Sequence, residues 1–460
     1  MFLLARLWLD RREATFAAVL YAVNPYYLVI VYWRSAFAEL LAGSLVPLLP
    51  LLLLRSEKPD RRMIAGLGVL LAAAWLANEP AAVMIHYSAA LLLLGMAWQR
   101  RSPRILLVGA AAVALGAGLA AFYLLPAIYE QRWVNIAQVI SPGVRFVDNF
   151  LFTTTSDSDH NAFNRLVSWM AVPEIGLTFM AAWASRRWRG GNRGLWSLML
   201  LWAAAGALVM VSTSTPLWSA LPKLRFVQFP WRWLLCLGVP FSLLTVMGIR
   251  RWSLRIAVYL AALCMMSFVW QHYQAPWWDG ADDLRELQDN MSSGAGYEGT
   301  EEYLPVGADV SAIDKNAGQV AVERPSPEDS GQTEAPVDHD PVDHSLVVHG
   351  PVDHGPVDHI QVHEWAPDNK RFTAETAAPE NLVVHLFNYP AWRVEVNGHP
   401  VRALTREDAG QIMIPVGAGE NRVSIKFVRT WDRKAGAWIS LLAVVFLLTL
   451  LRKSRGGEAG

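Results

Sequence analysis

The chain reads as a polytopic α-helical membrane protein of about ten spans with a small extracytoplasmic β-sandwich before its last helix, and three observations predict this. Hydrophobic residues fill 53% of the 460 positions and charged residues only 17%, a balance too apolar for one soluble core. About ten apolar stretches of roughly 15 to 20 residues recur, the length a helix needs to cross hydrocarbon. Knots of positive charge occupy alternate gaps between them, the bias that holds cationic loops in the cytoplasm.

Those knots are Arg11/Arg12, Arg55 to Arg62, Arg100 to Arg104, Arg186 to Arg193, Arg250 to Arg255 and Arg452 to Arg455. Between them the spans fall near Ala14 to Trp33, Phe37 to Leu54, Met63 to Asn78, Ala81 to Trp98, Ile105 to Leu125, Leu166 to Ser185, Leu195 to Val211, Trp233 to Gly248, Leu254 to His272 and Ala437 to Leu451. Asn78-Glu79-Pro80 turns the third span tightly into the fourth. With the knots inside, both termini are cytoplasmic, and the membrane domain covers 1–272. Its outer loops are 126–165 and 212–232. Met1 to Leu9 reads as the end of a helix whose beginning is missing, since it is too short for a cleavable signal sequence. Many of the 21 tryptophans, among them Trp33, Trp98, Trp133, Trp231, Trp233, Trp252 and Trp270, lie at span ends and are expected to form an aromatic belt.

Residues 273–436 are polar and fall outside. Asn381 to Asn388, Trp392 to Val396, Val401 to Leu404, Gln411 to Val416 and Arg422 to Arg429 alternate like strands, with Asn397-Gly398 supplying a type I′ turn. A sandwich over 361–432 follows, tethered by a final helix at 437–451. Before it, 273–360 reads as a linker. Pro-Val-Asp-His recurs there from Pro336, Pro341, Pro351 and Pro356, with His339, His344, His349, His354 and His359 at a five-residue interval. Imidazole suits zinc, copper or nickel, but this spacing matches neither a helix nor a strand face and implies no preformed site. Cys236 and Cys264 lie inside spans and read as small buried hydrophobes, with no disulfide. A formal net charge of zero gives no sign of a nucleic-acid partner.

Chemistry is sought where ionisable groups meet the membrane, because each costs about 2.5 to 3.5 kcal/mol at mid-bilayer. Arg34 and Glu39 flank the first outer turn, Glu79 and His86 the second. Glu130 and Arg132 open the large loop. Lys223, Arg225 and Arg232 crowd the next one, within Leu224-Arg225-Phe226-Val227-Gln228-Phe229-Pro230-Trp231-Arg232-Trp233. Cations interleaved with aromatics on the outer side fit two readings. They could grip a lipid phosphate bidentately, or they could anchor the chain by snorkelling. Arg34 and Glu39 could equally form a structural ion pair. Asp157, Asp159 and His160 are compact enough to suggest a metal, but read as solvated loop residues, and no metal ligand set is assigned.

Asn24-Pro25-Tyr26-Tyr27 followed by Tyr32-Trp33-Arg34-Ser35-Ala36-Phe37-Ala38-Glu39 resembles a signature of the bacterial membrane-protein family labelled "6-pyruvoyl-tetrahydropterin synthase-related". Phe229-Pro230-Trp231-Arg232, Leu125-Pro126-Ala127 with Glu130, and Glu302-Tyr303-Leu304-Pro305 resemble further hallmarks of it. Tyr389-Pro390-Ala391-Trp392 and Val396-Asn397-Gly398 are similar to the end domain of large YfhO-like proteins. The family label names a reaction that needs a soluble barrel with histidine-bound zinc, which these spans do not supply. The resemblance points instead to GT-C glycosyltransferases. It implies a multi-pass protein of the bacterial cytoplasmic (inner) membrane, with the bilayer and a lipid-linked sugar as partners and a polyprenyl-phosphate sugar as donor. No cofactor is assigned, though a divalent metal is compatible with the class. With cations beside acids on the outer face, a mechanism consistent with the residues makes Glu39 or Glu79 the general base, Arg34 or His86 the group that orients base or phosphate, and Lys223, Arg225 and Arg232 the grip on the phosphate, with Glu130 at the substrate. The class usually carries an acid in its first outer loop, which this chain is expected to lack at its start. The alternative is a non-catalytic envelope scaffold whose outer domain binds glycan or protein. Convergence of Arg34, Glu39, His86 and Arg232 would separate the two.

Overall fold

The computed structural model describes residues 1–55, 60–186, 193–273, 280–293, 303–313, 318–323 and 360–455. The Pro-Val-Asp-His repeat lies outside them. Contacts divide the chain into two units, one of 1–129, 137–292 and 432–460, the other of 130–136 and 293–431.

The first unit is helical, and the apolar stretches expected from the sequence are helical along most of their length, but three are divided between helices: Ala14 to Trp33 at Asn24, Phe37 to Leu54 after Leu45, and Ile105 to Leu125 after Leu119. Among the described residues six helices are long and apolar enough to cross a membrane, or up to eight if each of two bent pairs is one span. The bends are 78° between Arg104–Leu119 and Ala121–Trp133, and 93° between Arg193–Val209 and Ser212–Ala220. The stretches expected as third and ninth spans form Arg61–Ala77 and Trp252–Tyr273.

Polar residues in the gaps start these helices. The side chains of Asp10, Asp60 and Asp157 accept backbone N–H groups at the starts of Arg11–Ala22, Arg61–Ala77 and Ser158–Ser185, satisfying donors that have no partner within the helix. Asn78 serves two helices. Its N–H closes Arg61–Ala77 on Ala74, and its side chain caps Glu79–Arg100 at Ala81, which explains the tight hairpin.

In the apolar window of Pro230–Gly248 89% of the residues are buried, against 17% in that of Trp431–Arg452, so the former lies in the packed interior of this unit. Small residues let backbones approach. A Cβ on Gly248 would lie 2.8 Å from Ala181 Cα, and one on Gly116 would lie 3.0 Å from the Gly68 carbonyl.

Three expectations change. Arg255, taken as part of a solvated knot, is 2% exposed. It pairs with Glu13 at 2.8 Å and donates to the carbonyls of Val246 and Ile249, and Trp252 of the same helix meets Phe16 edge to face at 5.5 Å. Trp231 and Trp233 are buried, unlike Trp98, which is 87% exposed, so they belong to the packed interior and not to a belt. Cys264 is exposed on its helix, while Cys236 is buried.

In the second unit two antiparallel sheets face one core. The four-stranded sheet runs β1-β4-β8-β7 and the five-stranded sheet β2-β3-β9-β5-β6. In chain order the strands are β1 Val320–Glu323, β2 Ile360–Ala366, β3 Asn369–Thr376, β4 Glu380–Phe387, β5 Trp392–Val396, β6 His399–Val401, β7 Leu404–Thr405, β8 Gln411–Val416 and β9 Gly419–Phe427. Alternation buries Phe372, Leu382, Ile412, Ile414, Val423 and Ile425 between the sheets. Asn397 and Gly398 both have positive φ, 53° and 75°, as a type I′ turn requires.

The β-sheet region extends beyond 361–432. β1 pairs with β4 along Val320 to Glu323, so the expected linker contributes a strand, and the His-rich repeat separates β1 from β2 in sequence. The same stretch holds the helix Ala281–Ser293. The large loop is also divided, since Val134 bridges to Pro305 and Trp133 lies 5.4 Å from Tyr389, edge to face.

Candidate functional site

Asn24 caps the short Pro25–Leu28 helix, whose last turn widens into a π-helical turn at Val29–Trp33. Such turns are rare and often accompany functional sites. Ser35 then takes φ +47° and reverses the chain. The helix Phe37–Leu45 follows with Glu39 in its first turn. Three residues that the sequence singles out, Arg34, Glu39 and Arg232, meet here.

Glu39 is fully buried. Its Oε1 accepts the Tyr26 hydroxyl at 2.5 Å, and its Oε2 accepts Arg34 Nη1 at 2.7 Å. Arg232 Nε approaches the same Oε2 at 3.3 Å. Two guanidiniums around one carboxylate leave a net charge of +1. A buried carboxylate is tolerable only with such partners.

Arg232 comes from the re-entry segment. Gln228 adopts φ 65°, ψ −55°, and the Phe229 N–H donates to the Val227 carbonyl at 2.7 Å, the strained form of γ-turn. That turn aims the Val227 carbonyl and the Gln228 side-chain oxygen at Arg232 Nη1, at 2.7 and 3.3 Å. The amide of Gln228 donates to Val139 at 2.7 Å. Phe229 and Trp231 stack at 4.9 Å and cover the cations. Arg34 lies 5.1 Å from the Trp231 ring and Arg232 4.7 Å from Phe229, within cation–π range. Donors exceed acceptors here, because the buried indole N–H groups of Trp231 and Trp233 have no acceptor among the described residues.

The other sequence candidates have other partners. Glu79, exposed at the start of its helix, accepts the Tyr123 hydroxyl at 2.5 Å. His86 lies against Trp75 at 5.5 Å, and its Nδ1 is 2.8 Å from the Ala82 carbonyl of its own helix. It does not join the arginines. Lys223 and Arg225 are exposed and both lie over Phe226, at 4.8 and 5.2 Å. Tyr87 donates to the Pro222 carbonyl at 2.8 Å, so the segment from Pro222 to Trp233 touches both the Glu79–Arg100 helix and the arginine centre. Glu130 belongs to the second unit, where it accepts from Tyr389 at 2.6 Å and Thr430 at 3.4 Å.

Asp157 is a helix cap. The backbone N–H groups of His160 and Asp159 bond to it and hold its carboxyl below the usual range. Among the described residues no three His, Cys, Asp or Glu side chains are grouped to hold a metal.

Sequence reasoning missed Tyr26 as a ligand of Glu39, the γ-turn at Gln228, and Glu174. The last sits inside the Leu166 to Ser185 span, is 5% exposed, and accepts Asn24 Nδ2 at 2.8 Å. Its depth alone marks it as unusual.

Fold and site define a helical protein with membrane-like apolar helices, a buried arginine–glutamate centre and a separate β-sheet unit. No protein-family model, curated protein or solved structure matches the chain.

Proposed function

We propose that the chain is a multi-pass protein of the bacterial cytoplasmic membrane that grips the phosphate of a polyprenyl-phosphate sugar and transfers the sugar to an acceptor on the extracytoplasmic face. In this reading ten helices cross the bilayer, both termini are cytoplasmic and the β unit lies outside. The observation that carries it is the residual positive charge of Arg34 and Arg232 around Glu39, a charge that suits a phosphate.

Both oxygens of Glu39 are engaged, so its role is to position the arginines. Glu79, exposed and accepting the Tyr123 hydroxyl at its Oε1, takes the role of general base. An acceptor hydroxyl then attacks the anomeric carbon as the bond from that carbon to the phosphate oxygen breaks. Its proton passes to Glu79, and the departing polyprenyl phosphate is stabilised by Arg34 and Arg232, with Lys223 and Arg225 adding positive field. Inversion follows from a single displacement.

The competing reading is a non-catalytic scaffold, and the saturation of Glu39 by Tyr26 and two arginines would suit a purely structural ion pair as well. Sugar transfer from a polyprenyl-phosphate donor in membranes separates the two. Arg232→Lys and Glu79→Gln should each lower the rate about 100-fold or more with insertion unchanged. Full activity in both variants would remove these residues from the site.

A further inference from the structure

We infer that Glu174 is a positioning residue for the arginine centre, acting through Asn24 and Tyr26. A continuous buried chain of hydrogen bonds connects them. Glu174 Oε1 accepts Asn24 Nδ2 at 2.8 Å, Asn24 Oδ1 accepts the Tyr26 N–H at 2.8 Å, and the Tyr26 hydroxyl donates to Glu39 at 2.5 Å. Asn24 is 2% exposed and Tyr26 1% exposed, so water does not substitute for a missing partner.

The direction of the Asn24 amide decides the rest. Its oxygen must face the Tyr26 N–H to start the Pro25–Leu28 helix, which obliges Nδ2 to point the other way. A buried NH₂ with no acceptor is costly, and a flipped amide would set donor against donor. Glu174, on the Ser158–Ser185 helix, supplies that acceptor. Gly238 leaves the space, since a Cβ there would lie 3.2 Å from Asn24 Nδ2. Three segments far apart in sequence thus fix one amide, and that amide sets where Tyr26 meets Glu39.

The effect on ligand rests on the polyprenyl-phosphate reading, but the effect on Tyr26 does not. The test uses the full chain in lipid nanodiscs, labelled at tyrosine Cζ, with the Tyr26 signal assigned by Tyr26→Phe. Glu174→Gln keeps an acceptor oxygen and should leave the Tyr26 signal in place, with affinity for polyprenyl phosphate within about twofold of wild type. Glu174→Leu should shift the Tyr26 signal and weaken that affinity about tenfold. Gly238→Ala, whose methyl would press on the same Nδ2, should shift the signal even if Glu174→Leu does not fold. A Tyr26 signal shifted in Glu174→Leu but not in Glu174→Gln, with no affinity of the wild-type chain for polyprenyl phosphate, would support the positioning role while removing the proposed function. An unchanged Tyr26 signal in Glu174→Leu or Gly238→Ala, or equal shifts for Leu and Gln, would overturn the role of Glu174.

Discussion

Glu39 holds two guanidiniums that would otherwise repel each other in a medium with little water. Replacing it with Gln removes the only negative charge of the centre while keeping its shape. The expected loss is about 3 to 5 kcal/mol of stability, read as a lowered unfolding midpoint in detergent. A variant as stable as wild type would show that the cluster relaxes into solvent. At the loop edge, Asp157 makes a prediction about acid. Its carboxyl is depressed by the His160 and Asp159 N–H groups, so its contribution is present above the ordinary carboxylate pKa and disappears as pH falls through the lower folded value. Protection of the Asp159 and His160 amides against exchange should therefore fall as pH drops below the ordinary carboxylate range in wild type, and show no such step in Asp157→Asn.

The pairing of Arg34 with Glu39 was legible because charges beside apolar spans are rare, and Arg232 because it falls in a gap where the expected topology has few cations. Tyr26 and Gln228 were not legible. Their roles come from a π-helical turn and a γ-turn, and backbone irregularities of that kind leave no periodic trace in sequence.

At the scale of elements, the long helices were readable from hydrophobic runs, whereas their starts, set by the caps at Asp10, Asp60 and Asp157, lie upstream of the apolar residues and were not. The breaks were harder. The bend after Leu119 occurs within a continuous apolar run, with nothing in hydropathy to mark it. β1 was invisible for a different reason, since a four-residue strand gains its identity only from β4, far along the chain. Close helix approaches carry their own prediction. Gly248→Ala places a methyl against the backbone at Ala181, which cannot give way as a flexible side chain could. A loss of about 1 to 3 kcal/mol is expected, again as a lowered midpoint. Gly206→Ala, on a helix where a Cβ meets nothing within 4 Å, should change it little.

For the whole molecule, the proposed topology rests on alternate cationic gaps and assigns sides to the polar segments. It would put Lys223 and Arg225 outside, and Arg100 and Arg101 inside. In right-side-out vesicles an impermeant thiol reagent should label Lys223→Cys and spare Arg101→Cys, in a background lacking Cys264. The reverse pattern would invert the topology. The central claim, that the charge left over at Arg34 and Arg232 serves a lipid phosphate, is tested most directly by equilibrium binding of a polyprenyl phosphate to the full chain in nanodiscs. Saturable binding weakened at least about tenfold in both Arg34→Gln and Arg232→Gln is the predicted result; equal affinity in wild type and both variants would contradict it.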